Sequence, residues 1–190
     1  MFTAWLIGIP LVAFLVFSAL IAILFYNQLV EARTRMREAW SGIDIQLKRR
    51  ASLLPNLAET VRGFAAQEHD ILTEIAQARG KLMQATGPEA AAAADQTLSQ
   101  TLGRLMVVAE NYPQLKMARS FIQLQEELAH TEEKIAYARQ FYNQNVTNYN
   151  TEIQSFPGNR FARWFHFEPA VFYTADEAAT RDVTVAFPAA

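Results

Sequence analysis

No charged side chain occurs between Met1 and Val30, and this constrains the chain more than any other feature. The run Leu6–Tyr26 is 21 residues long and almost wholly apolar. As a helix it spans about 32 Å at ~1.5 Å per residue, against a bilayer hydrocarbon core of about 30 Å. Trp5 and Tyr26 stand at its ends, where amphipathic rings favour the headgroup level. The competing reading is a cleaved secretory signal, which needs a basic n-region, a shorter apolar stretch and a small-residue cleavage site. No Lys or Arg precedes Arg33, and no A-x-A pattern follows the run. Residues 1–30 therefore read as a retained transmembrane anchor. Pro10 falls in its first turns, where a missing backbone donor is tolerated.

Charge sets the expected orientation. The N-terminal flank has only its α-amino group, whereas the other carries Arg33, Arg35, Arg37, Lys48, Arg49 and Arg50 against Glu38 and Asp44. The positive-inside rule places that second flank in the cytoplasm and the N-terminus outside. The same six cations would attract anionic headgroups, so membrane lipids are expected partners. The formal net charge of −2 gives no global basic field for nucleic acid. The absence of cysteine agrees with a reducing compartment and rules out disulfide and thiolate chemistry.

Beyond the anchor the apolar pattern is helical throughout. Met36, Trp40, Ile43, Leu47, Arg50, Leu54, Leu57, Val61, Phe64, Glu68, Ile71, Ile75, Ala78 and Leu82 follow an unbroken 4,3 spacing, and only Arg50 and Glu68 are not apolar. That is the stripe of a long helix packed on partners, with Trp40 inside. A second stripe, Phe121, Leu128, Ile135, Tyr142, Tyr149 and Phe156, repeats every seven residues, with Val146 and Ile153 as companions. Thr86-Gly-Pro-Glu89 predicts a loop and a capping box, and Asn111-Tyr-Pro-Gln114 a helix restart. The unbroken phase across Pro55 favours a kinked continuous helix over a turn, at about 3 kcal/mol for the lost bond and clash. With Pro55 as a kink and Pro113 as a bend, residues 31–86 run away from the membrane and 89–156 return. With both prolines as turns, four antiparallel helices result and the last still returns, while one kink and one reversal would send the end outward. The Ala90–Ala94 run predicts a thin, close-packed helix. After Pro157, Phe161, Trp164, Phe165 and Phe167 cluster with Arg160, Arg163 and His166. Arrival at the headgroups and capping of the bundle core are both open readings of these rings. Thr174-Ala-Asp-Glu177 could cap a short helix, and the alternation of Val183, Val185 and Phe187 suggests a short strand.

No catalytic, cofactor-binding or metal-ligating constellation emerges. Glu127-Leu-Ala-His130 has the E-x-x-H spacing of di-iron bundles, but no second copy exists, and both residues flank Leu128 and should face outward. Glu68-His69 is not a zinc motif, and no nucleophile elbow or phosphate loop is present. Arg50, Glu68, Glu132 and Arg139 fall at core-type positions. The pattern favours stripe-edge placement with charges in water over a buried polar network.

Several blocks recur in an order that resembles the LemA family. They are Tyr26-Asn-Gln-Leu-Val30, Ala39-Trp-Ser-Gly-Ile-Asp-Ile-Gln-Leu-Lys-Arg-Arg50, Leu53-Leu-Pro-Asn-Leu57, Thr60-Val-Arg-Gly63, Glu110-Asn-Tyr-Pro-Gln-Leu-Lys116, Ala138-Arg139, Tyr142-Asn143, Tyr149-Asn150 and Phe156-Pro157. The resemblance covers about residues 26–167. It implies a bacterial inner-membrane protein with one N-terminal anchor and a cytoplasmic helical bundle. It also implies no known activity, cofactor or catalytic residue, and it includes magnetosome-associated relatives. The expected fold is all-α: an N-terminal transmembrane helix (1–30), an antiparallel bundle of three to four long segments (31–157) and a short, irregular, aromatic-rich tail (158–190). The expected function is a non-enzymatic membrane-anchored scaffold or adaptor, homo-oligomeric and with an unidentified membrane-protein partner. Its alternatives are an accessory subunit of a membrane protease complex and a lipid-binding, membrane-shaping module.

Overall fold

The computed structural model describes residues 2–174, with side chains from Pro10 onward. Among them are six helices and no strand. These are α1 (Phe2–Phe64), α2 (His69–Gln84), α3 (Pro88–Ala109), α4 (Pro113–Met117), α5 (Arg119–Gln154) and α6 (Gly158–Trp164). The short helix expected at Thr174–Glu177 and the strand expected at Val183–Phe187 lie outside the described residues. The apolar start of α1 is long enough and apolar enough to cross a membrane by length and composition. The chain divides into two units. Of the described residues, one unit holds those up to Ser41 with Phe141–Val171, and the other holds Gly42–Gln140 with 172–174.

The second unit is a four-helix bundle made by the later half of α1, α2, α3 and the first half of α5. Neighbours in sequence run antiparallel. Arg79 of α2 reaches Ala51 of α1, Glu74 of α2 pairs with Arg104 of α3 at 2.8 Å, and Met106 of α3 meets Gln125 of α5. Both stripes supply the core, from Ile43, Leu47, Leu54, Leu57 and Val61 to Phe121, Leu128 and Ile135. The alanine run packs as expected, with Ala91, Ala92 and Ala94 buried.

Several expectations are corrected here. The stripe from Met36 to Leu82 does not lie on one helix. The chain reverses at residues 65–68, closed by hydrogen bonds from the Glu68 amide to the Ala65 carbonyl and from the His69 amide to the Gln67 carbonyl. The phase only looks unbroken there. Phe64 is exposed and Glu68 half-buried, while Ala65, one place off the stripe, is fully buried. Pro113 is part of a second reversal, not a bend, because α3 and α5 are antiparallel. The capping box does not form: Gly87, at φ 83°, precedes α3 with Pro88 in its first turn, and no side chain caps it. Trp40 is half-buried while its neighbour Ala39 is buried, and Phe156, beyond the end of α5, is exposed.

Pro55 sits inside α1, which continues through it. A proline has no N–H for the carbonyl four residues earlier, here Ala51. That carbonyl accepts instead from Arg79 Nε at 3.2 Å. The gap that Pro55 leaves in one helix thus becomes the attachment point of the next, satisfying a backbone acceptor that would otherwise be orphaned.

In the first unit α1 and α5 run antiparallel. Trp40 meets the Tyr142 ring edge-on at 5.8 Å, and nearer the anchor Leu29 and Ala32 cluster with Tyr149, Ile153 and Ala162. The last long helix therefore returns toward the anchor end of α1, as the segment lengths suggested. Two ladder tyrosines with buried rings direct their hydroxyls at the segment after α6: Tyr142 donates to the Val171 carbonyl and Tyr149 to the Glu168 carbonyl, both at 2.8 Å. Asn150 closes a two-way bond with the Ala170 backbone. At the entry to α6, a Cβ on Gly158 would collide with the Glu152 carbonyl oxygen, so the turn requires glycine.

The exchange at Ala51 predicts a coupling. Arg79→Met should lower stability by about 1–3 kcal/mol, the penalty of an unsatisfied buried acceptor. In a Pro55→Ala background, which restores the amide donor, the same change should have little effect. Denaturant unfolding of the four proteins in detergent, followed by circular dichroism, measures this; equal effects in both backgrounds would contradict the exchange.

Candidate functional site

Among the described residues, the interior of the bundle unit has a densely polar place centred on Arg50. Only 4% of Arg50 is exposed, although sequence reasoning favoured a stripe-edge position with its charge in water. Its Nη1 lies 2.6 Å from Asp95 Oδ1 on α3 and 2.6 Å from Glu132 Oε2 on α5, and Nη2 donates to Ser99 Oγ at 3.1 Å. Tyr173, itself buried, donates its hydroxyl to the second oxygen of Asp95 at 3.4 Å. Glu68, Glu132 and Arg139 keep partly or largely exposed positions at the stripe edge, whereas for Arg50 the alternative reading, a buried polar network, is the one observed. The reason is partnership: a guanidinium leaves water only when carboxylates and further acceptors replace its hydration.

The network is asymmetric. Asp95 is buried, whereas the Glu132 side chain is half-exposed. Burial pushes the Asp95 carboxyl above its ordinary range; the Arg50 charge opposes the rise and Glu132 adds to it. Burial beside Asp95 likewise raises the Tyr173 hydroxyl, so this group remains a donor. Next to Arg50, an open groove of about 470 Å³ is lined by Leu102, Met106, Gln125, Leu128 and Glu132 among others. Its walls are mainly aliphatic, with Arg50, Ser99, Gln125 and Glu132 as the polar groups along them.

The remaining polar candidates have other roles. Glu68 is half-buried and accepts from the Tyr112 hydroxyl at 2.7 Å, tying the first reversal to the second. Arg139 is half-buried and acts electrostatically on Tyr173. Glu127 and His130 face outward as expected, and Glu127 pairs with Arg49 at 3.1 Å. Sequence reasoning missed Asp95 because it closes the alanine run, where one acid reads as a surface residue. It missed Tyr173 because nothing in a lone tyrosine after Phe172 predicts docking on an aspartate.

The first unit carries a second notable place, an aromatic collar. Phe25 stacks on Phe161 at 5.3 Å, and Tyr26 meets Phe165 edge-on at 4.9 Å and Phe167 at 6.1 Å. The Arg33 guanidinium lies over the Phe167 ring, 5.8 Å from its centroid, in a cation–π contact.

A long apolar N-terminal helix, and a helical bundle with a buried ion pair at Arg50–Asp95, describe a helical protein of membrane-associated type. Comparison with known proteins gives the family. The LemA family model matches residues 39–187, and the chain belongs to that family. Protein LemA of Metamycoplasma hominis is 26% identical, with 93% of this chain and 84% of the relative covered. Magnetosome protein MamQ 2 of Paramagnetospirillum magneticum is 27% identical, covering 86% of this chain and 72% of the relative. Magnetosome protein MamQ of Magnetospirillum gryphiswaldense is 26% identical, covering 76% and 66%.

Removing Arg50 alone leaves the buried Asp95 carboxylate without its cation. Arg50→Met should therefore lower stability by about 3–5 kcal/mol, while Arg50→Met with Asp95→Leu should recover most of the loss, as replacing a whole buried pair often does. Chemical denaturation of both variants checks this, and a double variant no more stable than the single would contradict it.

Proposed function

We propose that this LemA-family protein is a non-enzymatic, single-pass scaffold or adaptor of the bacterial cytoplasmic membrane, with its N-terminus outside and its helical bundle in the cytoplasm. The observation that carries the reading is the use made of Arg50. The buried Arg50 guanidinium is engaged with Asp95, Glu132 and Ser99, which ties three helices in one register. Glu132 and Ser99, the two partners that also line the neighbouring groove, are both bound to the Arg50 guanidinium, which supports a structural use of the cluster. The relatives described above are named for a magnetosome or for the family itself, not for a reaction.

The bundle unit also carries apolar side chains on its surface, among them Val107 (67% exposed), Met117 (71%) and Tyr137 (74%). They supply apolar area for other helical chains, and we extend the reading to self-association. The orientation follows from the cations at Arg33–Arg50.

The chain has no cysteine, so single cysteines report cleanly. Cysteines at Thr3 and Gln67 should label oppositely with a membrane-impermeant reagent, and labelling of position 67 from outside intact cells would overturn the orientation. Photo-crosslinking from Tyr137 in intact membranes should capture copies of the same chain. Capture of a single hydrolase in its place would favour the accessory-subunit alternative.

A further inference from the structure

The aromatic collar stands at a defined level of α1. From Pro10 to Leu20 every side chain of the apolar run is exposed; Ile21, Ala22 and Phe25 are the first with partial cover. Phe161, on α6, stacks on Phe25. The Leu6–Tyr26 run ends one residue later. Within its own unit, α6 is therefore held beside the last turn and a half of the stretch that would occupy the bilayer.

The outward side of α6 has an unusual composition for a helix facing water. Trp164 is 74% exposed and stacks on Phe165, itself 42% exposed, at 6.0 Å. Phe156, just before α6, is 82% exposed. Arg160 and Arg163 are exposed between these rings, and among the described residues neither has a side-chain hydrogen bond or an ion pair. Amphipathic rings and unpaired guanidinium groups together match the headgroup layer, where an indole finds both apolar and polar surroundings and an arginine binds phosphate bidentately.

We propose that α6 is a second, interfacial membrane contact, in which Trp164 and Phe165 enter the headgroup–acyl boundary and Arg160 and Arg163 hold the phosphates of anionic phospholipids. The proposal deepens the anchored reading and rests on α1 spanning the bilayer. Its effect is mechanical: Gly158 and the Tyr149 and Asn150 bonds fix α6 to the end of α5, so the returning helix is attached to the same leaflet that α1 leaves.

The test uses the full chain reconstituted in vesicles with bromolipids. One protein keeps Trp164 as its sole tryptophan (Trp5→Phe, Trp40→Phe), and a second keeps Trp5 (Trp40→Phe, Trp164→Phe). In vesicles containing phosphatidylglycerol, Trp164 should be quenched more by shallow than by deep bromines. Each arginine contributes about fivefold to attachment at an anionic surface. Arg160→Gln with Arg163→Gln should thus return Trp164 quenching to the level seen in purely zwitterionic vesicles. An unquenched Trp164 beside a quenched Trp5 would overturn the proposal and leave the span standing. Failure of both to quench would overturn the span and the proposal with it. Quenching of Trp164 that ignores lipid charge and both substitutions would overturn the assignment to anionic headgroups.

Discussion

The structure depends on taking one guanidinium out of water. Arg50 occupies a core position of α1, and its desolvation is offset only if two carboxylates and a hydroxyl converge on it. Those groups come from α3 and α5, so the condition for burying Arg50 is also the condition for assembling three helices in one register. The next residue completes the arrangement. Ala51 offers the carbonyl that Pro55 leaves unpaired, and Arg79 of α2 donates to it. One turn of α1 is tied in this way to every other long helix of the bundle. Exposed ion pairs such as Arg49–Glu127 contribute little beside these, at about 0–1 kcal/mol each.

The first unit uses a different device. Tyr142 and Tyr149 are read from sequence as apolar rungs of a ladder, and their rings are buried as such. Their hydroxyls then need partners, and the backbone of residues 168–171 supplies them. The chain after α6 is thereby ordered without a helix or strand of its own. The same segment leads to Tyr173, whose hydroxyl reaches Asp95.

Much of this was legible in the sequence because it follows from periodicity. The all-α class, the burial of Leu47, Leu54, Leu57 and Val61, the ladder from Phe121 to Tyr149 and the outward placement of Glu127 and His130 are consequences of 3.6-residue geometry, and the starts of α3 and α4 follow from proline's missing donor and fixed φ. What stayed hidden depends on tertiary partners. The reversal at 65–68 has no proline and keeps the 4,3 count, so only the burial of Ala65 in place of Phe64 discloses it. Arg50 was placed at the stripe edge because a sequence shows a charge but not the acid that neutralises it from 45 residues away. Thr86 and Glu89 had capping-box spacing, yet Gly87, with its positive φ, took the position before the helix.

The central claim is that Arg50 couples three helices, not one. Native-state hydrogen exchange on the full-length protein and on Arg50→Met tests it most directly, because exchange reports which amides open together. The account predicts that amides around Leu54 on α1, Leu98 on α3 and Ile135 on α5 lose protection together by the same factor. Loss confined to the α1 amides, with α3 and α5 unchanged, would contradict it.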